Sequence, residues 1–195
     1  MTSRDHILAA VRTKRPPAVA LPDVPAFAGG SGASWERFAE ALRRMGGKLA
    51  EAAPGASADA ILRQHFPDAR VICSATPEVT GTRALDGGEP RDLADVDVSI
   101  ARAAFGVAET GSVFLSEREL RVPAMAYLAQ HLLVLLDPAE IVENLHGAYR
   151  HAGFNTARYA VLITGPSATA DIEGVLIHGA QGVRSLTVVP LPRPR

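Results

Sequence analysis

Hydrophobic positions along most of the chain change between helical spacing and short continuous runs typical of buried strands. Trp35, Phe38, Ala39, Leu42 and Met45 share one face of a predicted helix. Ser34 can cap this helix, and Gly46-Gly47 can end it in a left-handed turn. Apolar runs predict strands at 48–52, 70–74, 96–100, 105–115, 131–136, 159–164 and 185–189.

Further helices are predicted between these strands. One begins at Ser57 and ends at Pro67. Another follows Asp137-Pro138-Ala139-Glu140, which offers an N-cap, a proline at the first helical position and a glutamate at the third, and it closes near Gly153. A third is capped by Ser167 or Thr169 and runs through His178. Strands that alternate with helices predict an α/β fold with a mostly parallel sheet flanked by helices.

The N-terminal part of the chain has a different character. Thr2 or Ser3 can cap a short helix with an apolar face formed by Ile7, Leu8 and Val11. Residues 15–34 then hold four prolines and three glycines, which is typical of a linker. We therefore predict a helical arm and linker over residues 1–33 and an α/β domain over 34–195. So short a helix needs a packing partner, and we expect the arm to dock on the body or on a partner chain.

Composition excludes several classes of function. The 195 residues have a formal net charge of −1, which gives no attraction to nucleic acid or to an anionic membrane surface. The only cysteine, Cys73, excludes an internal disulfide, a four-cysteine iron–sulfur centre and a cysteine-rich zinc finger, and we expect it to be buried and structural. The six histidines have no metal-binding spacing, so no metal is expected.

No segment of the sequence suggests membrane insertion. The most apolar stretch, residues 122–136, is interrupted by Pro123, Gln130 and His131. It falls short of the roughly 18 to 20 apolar residues that span a bilayer, and the N-terminus lacks the apolar core of a leader peptide. We expect a cytoplasmic protein.

The first candidate site is the polar turn around Glu109, where Thr110, Gly111 and Ser112 interrupt an apolar run. A carboxylate in such a turn can act as a nucleophile or general base, and the glycine lets a ligand approach the backbone. The alternative is a structural turn in which Glu109 satisfies local amides or pairs with an arginine. Arg118 and Arg121, just beyond it, could bind a carboxylate through paired hydrogen bonds or form a solvated turn.

The second candidate site is the segment 164–171, in which a predicted strand leads into a predicted helix. Its first-turn amides and hydroxyls could bind an anion or a small carboxylate, although ordinary N-capping explains the same residues. The segment matches neither the P-loop nor the dinucleotide-binding glycine motif. Because both candidate segments follow strands, we expect them to face one crevice. The candidate residues are Gly165, Pro166, Ser167, Thr169 and Asp171.

Two motifs, VAETGSVFL at 107–115 and TGPSATADIEGVL at 164–176, together resemble the LUD-domain lactate utilization family. The resemblance implies a fold similar to the sugar-phosphate isomerase and CoA-transferase group. It also implies a part in oxidising L-lactate to pyruvate beside iron–sulfur partner proteins, with no cofactor bound by this chain. One departure is that Gln181-Gly182-Val183 stands where the family commonly has His-Gly-Pro.

Two other functions stay open at this point. In the CoA-transferase branch of that fold group, a glutamate followed by a small polar residue and a glycine can be the nucleophile, and Glu109-Thr110-Gly111 resembles that arrangement. The chain could therefore be a free-standing enzyme of acyl-CoA or sugar-phosphate chemistry. It could also be a regulatory module that binds a small molecule without catalysis. Likeness of fold alone does not decide among these functions.

Overall fold

The computed structural model describes residues 2–25, 27, 30, 32–51, 53, 55–85, 89–171 and 173–193. Position 52 of the predicted first strand and position 172 of the second motif lie outside the described residues. The helices are α1 Ser3–Thr13, α2 Trp35–Arg44, α3 Ala58–His65, α4 Glu117–Leu120, α5 Met125–Leu128, α6 Leu145–Arg150 and α7 Ala152–Thr156. A short 3₁₀ helix covers Pro90–Leu93.

The strands found in the described residues form three sheets. They are β1 Lys48–Leu49, β2 Ile72–Ser74, β3 Val98–Arg102, β4 Phe105–Val107, β5 Ser112–Ser116, β6 His131–Leu136, β7 Ile141–Val142, β8 Ala160–Ile163, β9 Ala168–Thr169, β10 Ile177–His178 and β11 Ser185–Pro190. The central sheet has the order β1-β11-β6-β3-β2, and every neighbouring pair in it is parallel. The α/β prediction with a mostly parallel sheet is confirmed.

The apolar strand β6 is the middle strand of this sheet. Each of its two faces is covered by a different helix. Leu132, Val134 and Leu136 belong to the same cluster as Phe38 and Leu42 of α2. The alternate residues Leu133 and Leu135 belong to a second cluster with Ile61 and Leu62 of α3. Successive side chains of a strand point to opposite faces, so a strand covered on both faces is continuously apolar.

The second sheet corrects one strand prediction. Its order is β7-β4-β5-β8, and β5 is antiparallel to both β4 and β8. The predicted strand 105–115 is therefore a hairpin, β4 and β5, with its turn over residues 108–111. Phe105 and Phe114 face each other across this hairpin, with ring centroids 4.6 Å apart, and form a third apolar cluster with Val107 and Ala148.

The helix predicted directly after Asp137 is wrong. Asp137 Oδ1 accepts a hydrogen bond from the Ala139 N–H at 2.9 Å, as a capping residue would, but a turn follows it. The next residues, Ile141 and Val142, form β7 and pair with β4. The helix of this region, α6, begins later, where Asn144 Oδ1 accepts from the Gly147 N–H at 3.0 Å. Pairing of residues 141–142 with β4 thus outweighs the local capping signal at Asp137.

The helix predicted from Ser167 or Thr169 through His178 is also wrong. The segment forms the small antiparallel hairpin of β9 and β10. Glu173 and Gly174, in the connection between its strands, have φ values of 54° and 69°, which turn the chain left-handed. The capping-type side chains are present, but they support a turn.

The N-terminal arm forms the predicted helix and buries no residue. Thr2 and Asp5 complete a capping box at the start of α1. Ile7 and Val11, on the predicted apolar face, remain 64% and 61% exposed. Burial of α1 against the body is therefore not seen among the described residues, and docking of this helix on a partner chain stays a prediction. Met45, placed on the buried face of α2 by its spacing, is also 54% exposed because it lies just past the end of α2.

None of the helices in the described part of the chain is both long and apolar enough to cross a membrane. The boundary between an arm at 1–33 and a domain at 34–195 stays a prediction.

Candidate functional site

Pairing between β5 and β8 brings the two motif segments together. Val113 lies opposite Ile163 in this antiparallel pair, so the preceding Ser112 meets the following Thr164. The hydroxyls of Ser112 and Thr164 are hydrogen-bonded, and Thr110 Oγ1 lies 2.7 Å from Ser112 Oγ. Three hydroxyls thus connect the Glu109 turn to the end of β8. Ser112, in the middle, is buried.

Two of the motif glycines lie against the C-terminal end of α2. Gly111 and Gly165 each have a φ of +70°, which favours glycine. A Cβ atom at Gly111 would lie 2.2 Å from the backbone nitrogen of Leu42, and one at Gly165 would lie 2.2 Å from the carbonyl oxygen of Met45. These glycines therefore allow one helix end to contact both segments. This is a packing role for positions that we predicted to admit a ligand.

A cleft of about 330 Å³ lies beside the second segment. Its walls are residues 161–167, the loop 181–183, and Ala126 and Tyr127 of α5. The loop is held in place because the Ser167 N–H donates to the carbonyl of Val183 at 2.9 Å. Gly182 lies so close to Ser167 that a Cβ atom on it would be 3.0 Å from the Ser167 Cβ. Gly165, Pro166 and Ser167 thus share one cleft with Gln181-Gly182-Val183.

The chemistry of this cleft is neutral. No charged side chain is found among the described residues that line it. The hydroxyls of Thr164, Ser167 and Tyr127 and the amide of Gln181 are its polar groups. Such groups donate hydrogen bonds to a carboxylate or hydroxyl oxygen, and no carboxylate, imidazole or amine side chain stands beside them among the described lining residues. The arrangement is therefore suited to binding a small polar molecule, rather than to acid–base chemistry by its own side chains.

Tyr127 is a cleft residue that we did not predict. Its hydroxyl hydrogen-bonds to that of Tyr159, and burial together with this bond raises the pKa of Tyr159. Tyr159 therefore remains a neutral hydroxyl at ordinary pH. In the sequence, Tyr127 lies within an apolar stretch far from Thr164, and nothing in its spacing links the two positions. Gln181 could be noticed in the sequence, because it stands where the family commonly has the histidine of His-Gly-Pro.

Glu109 lies outside the cleft. Its side chain is exposed, and Oε2 accepts a hydrogen bond from the N–H of Leu145, the first residue of α6, at 3.1 Å. A carboxylate at the N-terminus of a helix is favoured by the helix dipole. Glu109 therefore does face a helix start, but it is that of α6 and not the one we predicted at Ser167.

The remaining candidate residues are dispersed. Thr169 Oγ1 donates to Asp171 Oδ2 at 2.7 Å, and neither residue lines the cleft. Arg118 reaches the carbonyl of Thr156 in a long contact of 3.5 Å, whereas Arg121 lines a different cavity. Cys73 is fully buried, as expected, and burial raises the pKa of its thiol. In the part of the chain that the structure describes, no group of three or more metal-ligating side chains is found.

Comparison with solved structures gives a similar fold. A DUF162 family protein from Deinococcus radiodurans, solved as a crystal structure at 1.70 Å resolution, superposes with a TM-score of 0.59. The match covers 80% of this chain and 94% of that one, at 16% sequence identity. At this identity the likeness concerns the fold.

Sequence comparison identifies a relative and a family. An uncharacterized protein of Neisseria meningitidis serogroup B, NMB1437, is 26% identical over 114 residues. The match covers 56% of this chain and 48% of the relative, so the chain spans about half the length of the curated relative that it matches. The family model of the LUD domain matches residues 88–190, more than half of the chain and including both motif segments. The chain therefore belongs to the LUD-domain family.

Proposed function

We propose that this protein is a cluster-free component of a cytoplasmic system that oxidises L-lactate to pyruvate, and that it is most similar to lactate utilization protein C. The LUD-domain family is linked to lactate utilization in general. Oxidation of lactate releases two electrons and two protons, so an acceptor is required. With a single buried cysteine, the chain cannot supply the ligands of a four-cysteine cluster. We assign the acceptor to iron–sulfur partner proteins.

The observation that carries the proposal is the row of hydroxyls from Thr110 through Ser112 to Thr164. It links the two motif segments and ends at the cleft of about 330 Å³. A cleft of this size is at the lower end of those that bind small molecules, roughly 300 to 1,000 Å³. We propose that Thr164 and Ser167 donate hydrogen bonds to the carboxylate of a small hydroxy acid there.

Gln181 supports a binding role over a proton-transfer role. Where relatives commonly have histidine, this chain presents an amide, which donates and accepts hydrogen bonds but does not titrate near neutral pH. A ligand held by this cleft therefore meets no base from that position. The exposed Glu109, outside the cleft, is proposed to act through the stability of the turn and of α6, where it accepts from Leu145.

Growth on L-lactate tests this proposal. A strain lacking the gene, and any second copy of it, is expected to grow on pyruvate but not on L-lactate. Normal growth on L-lactate would overturn the proposed role. Restoring the gene with Thr164→Val removes one hydroxyl while keeping the shape of the side chain, and we expect it to fail to restore growth.

Thr169→Val is the matched control. It removes a hydroxyl of the same kind from the same segment, but one that, among the described residues, bonds to Asp171 outside the cleft. We expect this variant to restore growth fully. Equal behaviour of the two variants, at equal protein levels, would mean that the cleft is not the site. Calorimetric titration of the purified chain with L-lactate separates loss of binding from loss of assembly with partners.

A further inference from the structure

A second cavity, of about 370 Å³, lies beyond the C-terminal end of β2. Ser74, the last residue of β2, forms part of its wall, together with the loop 79–85 and Arg121 after α4. The edge beyond the carboxyl ends of parallel strands is where α/β proteins commonly bind ligands. Among the described residues that line this cavity, Arg83 and Arg121 are cationic and none is acidic.

Arg83 is anchored and its charge is compensated. Its Nη2 donates to Asp95 Oδ2 at 2.8 Å, while Nη1 bonds to the other carboxylate oxygen of Asp95 and to the carbonyl of Asp92. This arginine therefore forms a fixed part of the wall.

Arg121 is different, because its charge has no partner among the described residues. Within the described residues its guanidinium makes no hydrogen bond or ion pair, and the residue is exposed. A guanidinium presents a planar fork of donors that matches the two oxygens of a carboxylate or phosphate. As far as the described residues show, the cavity thus contains a cation that is free to bind an oxyanion.

The backbone at Arg121 is strained. Its φ is 58° and its ψ is −54°, and the N–H of Val122 donates to the carbonyl of Leu120 at 2.6 Å. These values describe a γ-turn with positive φ, which is rare and unfavourable for a residue with a side chain. Glycine would adopt it more easily. Strain of this kind persists where surrounding structure imposes it, and it clusters at ligand-binding positions.

We propose that this cavity binds a small molecule with a terminal oxyanion, a carboxylate or a phosphate, on a short apolar body. Arg121 makes paired hydrogen bonds to the oxyanion, and Val79, Ala84 and Leu85 contact the apolar part. This site is separate from the hydroxyl-lined cleft and goes beyond the proposed function, so either proposal can fail alone.

Calorimetric titration of the full chain with butyrate and with inorganic phosphate, at constant ionic strength, tests the site. We expect saturable binding of at least one probe, and the tighter probe identifies the oxyanion. Arg121→Gln is expected to weaken binding by at least about tenfold, because charge-assisted hydrogen bonds are lost. Arg118→Gln is the control, and it should bind like the wild type. Absence of saturable binding with both probes would overturn the proposal.

Arg121→Gly separates binding from folding. It relieves the strained backbone, so we expect an unchanged or higher melting temperature together with the same loss of binding as Arg121→Gln. A lower melting temperature with unchanged binding would show that Arg121 is structural. Equal weakening by Arg118→Gln would also contradict the assignment, since it would indicate attraction by overall positive charge.

Discussion

Replacing Gly111 by alanine places a methyl group where α2 already lies. The new Cβ would be 2.2 Å from the Leu42 nitrogen and 2.5 Å from the Leu42 Cα, whereas non-bonded carbon atoms prefer about 3.5 to 4.0 Å. These neighbours are backbone atoms, so α2 itself must move. The φ of +70° at Gly111 adds a conformational penalty. We expect a total loss of about 2 to 5 kcal/mol, from about 1 to 2 for the left-handed backbone and about 1 to 3 for overpacking.

Gly174→Ala is the matched control for this change. Gly174 has nearly the same φ, +69°, but a Cβ atom there would meet no atom of the described residues within 4 Å. It should therefore lose only the conformational part, about 1 to 2 kcal/mol. Urea denaturation of both variants and of the wild type measures the difference, with the slope of each transition showing whether the unfolded state has changed.

Equal losses in the two variants would refute the reasoning, because they would mean that α2 yields to the methyl group without cost. A larger loss for Gly111→Ala would assign this glycine to the packing of α2. Packing against α2 would then explain the glycine beside Glu109 without a ligand.

Three further outcomes follow from the geometry. Glu109→Gln keeps an acceptor for the Leu145 N–H but removes the charge at the start of α6. We therefore expect a stability loss of about 0.3 to 1 kcal/mol, with growth on lactate retained. Loss of growth at an unchanged melting temperature would instead assign Glu109 to function. Deleting residues 2–15 should leave the free energy of unfolding unchanged, because α1 buries no residue, and a marked fall in melting temperature would contradict this. The carboxylate of Asp97 accepts two backbone N–H bonds that lower its pKa in the folded state. The stability that it contributes is therefore fully present above the ordinary aspartate pKa of 3.8. This stability is lost as the pH falls through the lower pKa of the folded state. Asp97→Asn should therefore weaken the dependence of stability on pH in that acidic range, as measured by denaturation at a series of pH values, and an unchanged acid profile would contradict it.

Local sequence was enough to predict the elements whose own pattern admits one solution. The continuous apolar run of β6 must be covered on both faces, and the helices α2 and α3 have caps at Ser34 and Ser57 that the structure retains. These signals agree with the tertiary packing, so the α/β class and the parallel sheet followed from them. A capping residue contributes only about 1 kcal/mol. At Asp137 and Ser167 the same signal failed, because strand pairing used the backbone groups that a helix would need.

The candidate site divides in the same way. Its two motif segments could be recognised along the chain, and the departure at Gln181 could be seen beside the family pattern. The other features of the site depend on how β5, β8 and α5 are arranged. They are the contact of Ser112 with Thr164, the positions of Tyr127 and Gln181 in the cleft wall, and the bond of Glu109 to α6. Contacts between residues far apart in the chain leave no periodicity in the sequence, so only the tertiary structure decides which polar groups share a site.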